Sequence, residues 1–332
     1  MLKPQRGASP VVDRKTAFSR IGFALSLTIF LVAAYVLYRI LHDIDPHELF
    51  SALRAADRRT LITAGCFVAA GYLTLTFYDL FALYTIGRND VPYRIAALGG
   101  FTSYAVGHNV GASVFSGGAV RYRIYSTWGL SVVEVTKICF IAGLTFWLGN
   151  VTVLGLGILY SPAAAQAVDH LPMWLNRVLA AVLLALLAAY VAWVWVKPRN
   201  IGRDGWQVRL PGGGLTVLQI AIGIIDLGCC AAAMYTLIPD QPNIGFVPVA
   251  VIFVAATLAG FASHAPGGLG VFDVAMMAAL WQFRKEDLLA GLLLFRLLYY
   301  VIPFVLSLAV LGIREAVLGG SAARHMTRDS SR

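Results

Sequence analysis

The sequence predicts an all-α fold, a polytopic helical membrane bundle, and three observations carry that prediction. Of the 332 residues, 59% are hydrophobic and only 13% charged, which excludes an ordinary soluble domain. Apolar runs recur at Ile21–Leu41, Leu61–Ile86, Ile95–Phe115, Val132–Leu159, Leu175–Val196, Leu215–Leu237, Val247–Trp281 and Leu288–Ile313. Most of these eight segments reach the roughly 20 residues that a spanning helix requires. The connections between them, the longest being Arg39–Thr60 and Lys197–Gly214, are too short to bury a core. One membrane domain over 21–313 is therefore expected, with halves at 21–159 and 175–313. A basic tail at 1–20 precedes it and a polar tail at 314–332 follows.

The first run follows Lys3, Arg6, Arg14, Lys15 and Arg20, like the n-region of a signal peptide. It exceeds the 7–15 residues, roughly, of an ordinary signal core, and no convincing cleavage site follows, so it reads as a retained span. Cys66, Cys139, Cys229 and Cys230 lie inside apolar runs and read as small packing residues, without disulfide or metal spacing. The net charge of +9 suits a surface against anionic lipid and, in so apolar a chain, argues against nucleic acid.

The third and seventh runs are not plain spans. The seventh contains SHAPGGLGVFD (Ser263–Asp273), where Pro266, Gly267, Gly268 and Gly270 cannot continue a straight helix. The third contains YAVGHNVGASVFSGG (Tyr104–Gly118), with its break expected at Gly117 and Gly118. Irregular backbone survives at membrane depth only where protein or a water-filled cavity covers it. Charge supports a re-entrant course for both runs. Eight plain crossings divide Lys and Arg evenly between the two sides. If both runs dip in and return, most Lys and Arg fall on the side of the N-terminus, the cytoplasmic side under the positive-inside rule. Both termini are then cytoplasmic.

The two breaks also echo each other. His108 to Phe115 resembles His264 to Phe272, and FYDLFAL with Asp79 resembles IIDLGCC with Asp226. Each half reads as a span, a span with an aspartate, a re-entrant segment and a span. That order suggests an inverted repeat, as in many transporters.

Charged groups inside apolar runs mark candidate sites, because a charge at the bilayer centre costs about 2.5–3.5 kcal/mol. They are Asp79, Asp226, Asp273 and Arg296, with His108 and His264 at the breaks. Arg296 requires a carboxylate or phosphate partner: either Asp79 or Asp226 in a packing pair, or a lipid phosphate. Arg121 and Arg123, interleaved with Tyr122 and Tyr125 at the expected cytoplasmic boundary, read either as interface anchors or as a headgroup clamp. In the clamp reading, His108, Asn109 and His264 line one polar path. Ser131 and Glu134 form a capping-box pattern, and Glu134 with Lys137 reads as a local ion pair. No G-x-S-x-G elbow, H-E-x-x-H, P-loop or C-x-x-C is present, so no catalytic residue, metal or cofactor is expected.

Four stretches in order, SGGAVRYRIYSTWGLS (Ser116–Ser131), LTFWLGN (Leu144–Asn150), SHAPGGLGVFD and RLLYYVIPF (Arg296–Phe304), carry a family resemblance. The chain resembles the membrane domain of bacterial phosphatidylglycerol lysyltransferases, the multiple peptide resistance factors, and their stand-alone integral membrane relatives. The resemblance runs over roughly Ile21–Ile313. It implies a flippase-like protein of the bacterial inner membrane that handles anionic or aminoacylated phospholipid. The family's soluble aminoacyl-transfer domain has no counterpart in this sequence, so a separate lipid-modifying enzyme is an implied partner; the alternative is an accessory membrane subunit of such an enzyme. Aspartate at 273, where the family leads one to expect glutamate, and alanine at 265 are departures that bear on substrate identity.

Overall fold

The computed structural model describes residues 46–329 except Ala112, Pro198, Asp204, Gly205, His264, Ala265 and Leu269, together with Leu31 and Tyr35. The basic tail and the first apolar run lie outside the described residues, apart from those two positions. In chain order the first-half helices are α1 (Pro46–Ala55), α2 (Arg58–Thr85), α3 (Tyr93–Val110), α4 (Ser113–Tyr125) and α5 (Val132–Tyr160). The short α6 (Pro162–Asp169) and the long α7 (Met173–Val196) lead to a small antiparallel hairpin, β1 (Asn200–Arg203) with β2 (Trp206–Arg209). Then come α8 (Gly213–Leu237), α9 (Phe246–Ala262), α10 (Val271–Ala279), α11 (Lys285–Phe295) and α12 (Ile302–Asp329). A π-helical turn, Arg296–Val301, joins the last two without a break in direction.

Among the described residues five segments are long and apolar enough to cross a membrane: α2, α5, α7, α8 and the continuous rod Lys285–Val317. Two spans cross at the centre. α2 and α8 run antiparallel, with Gly71 against the Cys230 side chain and Tyr78 reaching Asp226. α8 also meets α5 at a glycine pair: a Cβ on Gly149 would lie 2.7 Å from the Gly223 Cα. Only small residues allow backbones to approach so closely, which is how apolar helices associate when lipid removes the hydrophobic drive. Gln219 donates to the Thr145 hydroxyl beside that crossing, at 2.7 Å.

The third and seventh runs are both hairpins that return to the end they entered. In the first, α3 stops at Gly111, whose φ of 78° favours glycine, and α4 runs back along it. A Cβ on Gly117 would sit 3.0 Å from the Ser103 carbonyl, and one on Gly107 would sit 3.3 Å from Ser113. The turn thus falls earlier than the sequence suggests: Gly117 and Gly118 are inside helix α4. Gly117 is needed for close packing rather than for a turn. In the second hairpin, α9 gives way to a short 3-10 turn, Pro266–Gly268, and α10 returns. Here the break lies where expected, with Gly267, Gly268 and Gly270 at φ of 61°, 63° and 81°.

The hairpins enter from opposite ends of the bundle. The first follows the C-terminus of α2 and the second the C-terminus of the antiparallel α8. Each leans on a span of the other half, α3 on α12 and α9 on α5, and the turn Pro266–Gly268 packs on α3.

The π-helical turn has a cause in the sequence. Pro303 has no N–H to give the Tyr299 carbonyl four residues earlier, and its ring crowds that carbonyl. A widened turn accommodates the ring, and side chains take the freed acceptors: the Tyr72 hydroxyl donates to the Tyr299 carbonyl at 3.0 Å, and Asn109 Nδ2 to the Tyr300 carbonyl at 3.2 Å. π-turns inside helices recur at functional sites.

Candidate functional site

A cavity of about 170 Å³ opens where the two hairpin tips meet. The first tip supplies Gly107, His108, Gly111 and Ser113, and the second supplies Gly267, Gly268 and Phe272. Its remaining walls include Tyr104, Phe253, the π-turn residues Tyr299 and Tyr300, and from α8 Asp226 and Cys230. The aromatic lining is continuous: Tyr78 meets Tyr104 edge-on, Tyr104 meets His108, and His108 stacks on Tyr299 with ring centres 6.1 Å apart. Tyr299 in turn stacks on Phe295 at 5.2 Å. His108 is half-buried, and its buried Nδ1 has no hydrogen-bond partner among the described residues.

Two arginine–aspartate pairs flank this cavity. Arg121 turns inward from α4 and is 5% exposed, rather than lying at the boundary. It grips Asp79 of α2, which is fully buried, through Nη2 at 2.7 Å and Nε at 3.0 Å, and the Tyr125 hydroxyl adds a bond of 2.6 Å. The guanidinium also lies over the Tyr104 ring, 4.9 Å from its centre. A buried carboxylate with this many donors is well compensated, which is the condition for keeping a charge pair in an apolar interior. The second pair is Arg296 with Asp273, a two-pronged contact between the π-turn and the first turn of α10. Asp273 Oδ2 also accepts the Gly270 N–H at 3.1 Å, which fixes the start of α10. Arg296 was expected to meet Asp79 or Asp226. The structure instead pairs it with the aspartate of the neighbouring hairpin, because Arg121 already occupies Asp79 and Asp226 lies one helix away.

Asp226 is bonded by a neutral group, the Tyr78 hydroxyl at 3.0 Å, with the Cys230 sulfur 4.0 Å from its other oxygen. Asn109 is buried and braces α3 against the π-turn; it does not line the cavity. His264 lies outside the described residues.

A further cluster of charges sits at the end where α2 finishes and α5 begins. Arg123 pairs with Glu315 of α12, and Arg314 donates to the Thr127 hydroxyl at 2.9 Å, so α12 straps the return arm of the first hairpin. Glu134 was expected to pair with Lys137. It closes the capping box with Ser131 and takes Arg88 at 2.8 Å instead, since its side chain folds back toward its own helix start and the α2–α3 turn. Arg88 also donates to the Trp128 carbonyl and to Asp90. The bond to Asp90 holds Arg88 above its ordinary pKa and holds the Asp90 carboxyl below the usual range.

Sequence reasoning missed Tyr72, Tyr78, Tyr104 and Tyr299, whose rings and hydroxyls build the site. The available signal was Pro303, which implies an orphan carbonyl at Tyr299 and a donor to meet it.

Five spans and two hairpins that dip from opposite ends to share one cavity define a class: a multi-pass membrane protein with paired re-entrant segments. Residues 21–307 match the family described as Lysylphosphatidylglycerol synthase TM region, and the chain belongs to that family. Among its relatives is the inner membrane protein YbhN of Escherichia coli, 30% identical over 287 residues, covering 84% of this chain and 88% of that protein. An uncharacterized protein of Synechocystis is 28% identical over 295 residues, 88% and 91% of the two chains. The phosphatidylglycerol lysyltransferase of Staphylococcus haemolyticus is 26% identical over 326 residues. Those residues are 94% of this chain but only 36% of the lysyltransferase, so the likeness is to a membrane part of a longer protein.

Proposed function

We propose that the chain is a lipid flippase or lipid-handling protein of the bacterial inner membrane, in which the cavity between the hairpin tips admits a phospholipid headgroup. The observation that carries the reading is the meeting of two hairpin tips, entered from opposite ends, around one mainly apolar cavity with Asp226 and His108 among its walls. A headgroup needs a protein-lined route while its tails stay in hydrocarbon, and broken segments at membrane depth are where transporters place such routes. Arg121, Arg123 and Arg296 contribute by holding the hairpins in place through carboxylates. His108, Gly267 and Gly268 face the passenger, and Pro266 and Gly270 shape the second tip.

A second reading has one observation in its favour: the lysyltransferase relatives are about three times longer than the matched region, so related membrane parts work joined to another domain. In that reading the chain is the membrane subunit for a separate lipid-modifying enzyme.

The test is leaflet exchange in liposomes carrying labelled phosphatidylglycerol or lysyl-phosphatidylglycerol. Wild-type protein should accelerate exchange of at least one lipid, and Gly268→Leu, which fills the cavity wall, should slow it at equal folded yield. Exchange no faster than in protein-free liposomes for both lipids would end the flippase reading and leave the subunit reading.

A further inference from the structure

Three aspartates, Asp79, Asp226 and Asp273, lie around the cavity region, and they are not equivalent: the first two are buried, whereas the Asp273 side chain is 21% exposed. Asp79 has Arg121 and Asp273 has Arg296, each through a forked contact. Asp226 is 4% exposed and forms no ion pair with a described residue. From α2 it receives the Tyr78 hydroxyl, with Thr74 beside it and Tyr72 further along the same face. From α3 it faces Tyr104, and from the π-turn Tyr299, both neutral. On its own helix lie the thiols of Cys229 and Cys230. α5 brings Phe146 to the shared cavity and α9 brings Phe253, Thr257, Gly260 and Phe261, none of them charged. The two buried arginines are engaged elsewhere, Arg121 on Asp79 and Arg296 on Asp273.

An isolated carboxylate in a low-dielectric interior takes up a proton or acquires a cation. Asp226 opens onto the cavity, so its compensating charge can arrive and leave. The same cavity presents an imidazole, His108, whose buried Nδ1 has no hydrogen-bond partner among the described residues. We propose that Asp226 is an exchangeable proton site, with His108, on the wall of the same cavity, relaying protons to it.

The oxygens divide the work. Oδ2 accepts the Tyr78 hydroxyl, and Oδ1, with the Cys230 sulfur at 4.0 Å, is the oxygen that carries the proton. On uptake, a proton from cavity water binds the imidazole, the imidazole passes a proton on toward Oδ1, and the carboxyl becomes neutral while His108 returns to its starting form. Release is the reverse. No bond other than O–H and N–H forms or breaks. The site lies where the tips meet, so occupancy by a proton and movement of the hairpins act on the same walls. The inference rests on the charge balance of the bundle and not on the lipid reading.

Infrared difference spectroscopy on the purified protein in lipid nanodiscs, titrated in pH, tests this directly through the carboxylic-acid C=O band. Wild type should show a band that grows as pH falls; Asp226→Asn should remove it, Asp226→Glu should shift it, and Asp90→Asn should leave it unchanged. His108→Gln should keep the band but slow its exchange with heavy water. A spectrum in which neither substitution at Asp226 alters any such band, or a band of constant size at every pH, would overturn the proposal. An unchanged exchange rate in His108→Gln would remove the relay. If Asp226→Asn does not fold, the shift in Asp226→Glu decides the question alone.

Discussion

The Tyr72 hydroxyl donates to the Tyr299 carbonyl across 3.0 Å, and that carbonyl is the one Pro303 cannot bond. A side chain of α2 thus completes the backbone of the last span at the level of the cavity. Leaving a buried acceptor unmet costs about 1–3 kcal/mol. Tyr72→Phe should lower the thermal unfolding midpoint in detergent, while Tyr235→Phe, whose ring is partly exposed, should not. Equal midpoints for both would mean that the π-turn is held by packing alone.

Removing one partner of a buried ion pair costs about 3–5 kcal/mol, because the other charge is stranded. Asp79 is fully buried, whereas the Asp273 side chain is 21% exposed. Arg121→Met should therefore reduce folded, monodisperse protein more than Arg296→Met, and Asp79→Asn added to Arg121→Met should restore part of it. Asp226→Asn should rescue neither. A rescue of Arg296→Met by Asp226→Asn would contradict the observed pairing.

Gly117 and Gly118 separate packing from turn formation. An added methyl at Gly117 meets the Ser103 carbonyl at 3.0 Å, but at Gly118 it meets only the Cys139 sulfur at 3.6 Å. Gly117→Ala should cost about 1–3 kcal/mol through overpacking. Gly118→Ala should be neutral or stabilising by up to about 1 kcal/mol, the helix preference of alanine over glycine. Thermal stability of the two variants side by side decides it.

Single cysteines on a cysteine-free background report the hairpin course. Asp90 and Thr127 flank the first hairpin, and Asn243 and Arg284 flank the second; all four are exposed. The first two positions should label from one face of the membrane and the last two from the other. Labelling of Asp90→Cys and Thr127→Cys from opposite faces would require α3 and α4 to cross.

Much of this architecture was legible from residues alone. Long apolar runs give spans because hydrocarbon admits little else, and the SHAPGGLGVFD break could not be a plain helix. The Ser131–Glu134 capping box was equally local and appears in the structure. What escaped the sequence was non-local. Which aspartate meets Arg296 depends on how far each hairpin penetrates, and no spacing along the chain encodes that depth. The turn at Gly111 was misplaced for a related reason. Several glycines in Tyr104–Gly118 could each make a turn or a close contact, and only the packing of α4 on α3 distinguishes the two uses. The partners of Glu134 and Arg123 come from a turn and a helix more than forty residues away, on the evidence of Arg88 and Glu315.

The order of the two ion pairs along the chain bears on how the protein is made. Synthesis runs from the N-terminus, and in each pair the aspartate is translated before its arginine: Asp79 ahead of Arg121, and Asp273 ahead of Arg296. Entering the bilayer, an arginine brings a cost of about 2.5–3.5 kcal/mol at the centre. In both halves the carboxylate has already left the ribosome when that cost falls due. The first hairpin, with Arg121 on its return arm, has its anchor in a span completed earlier, so insertion of α2 is a precondition for docking α4. In the second pair the elements are exchanged: the hairpin arm α10 carries Asp273, and the last rod, made later, brings Arg296 to it.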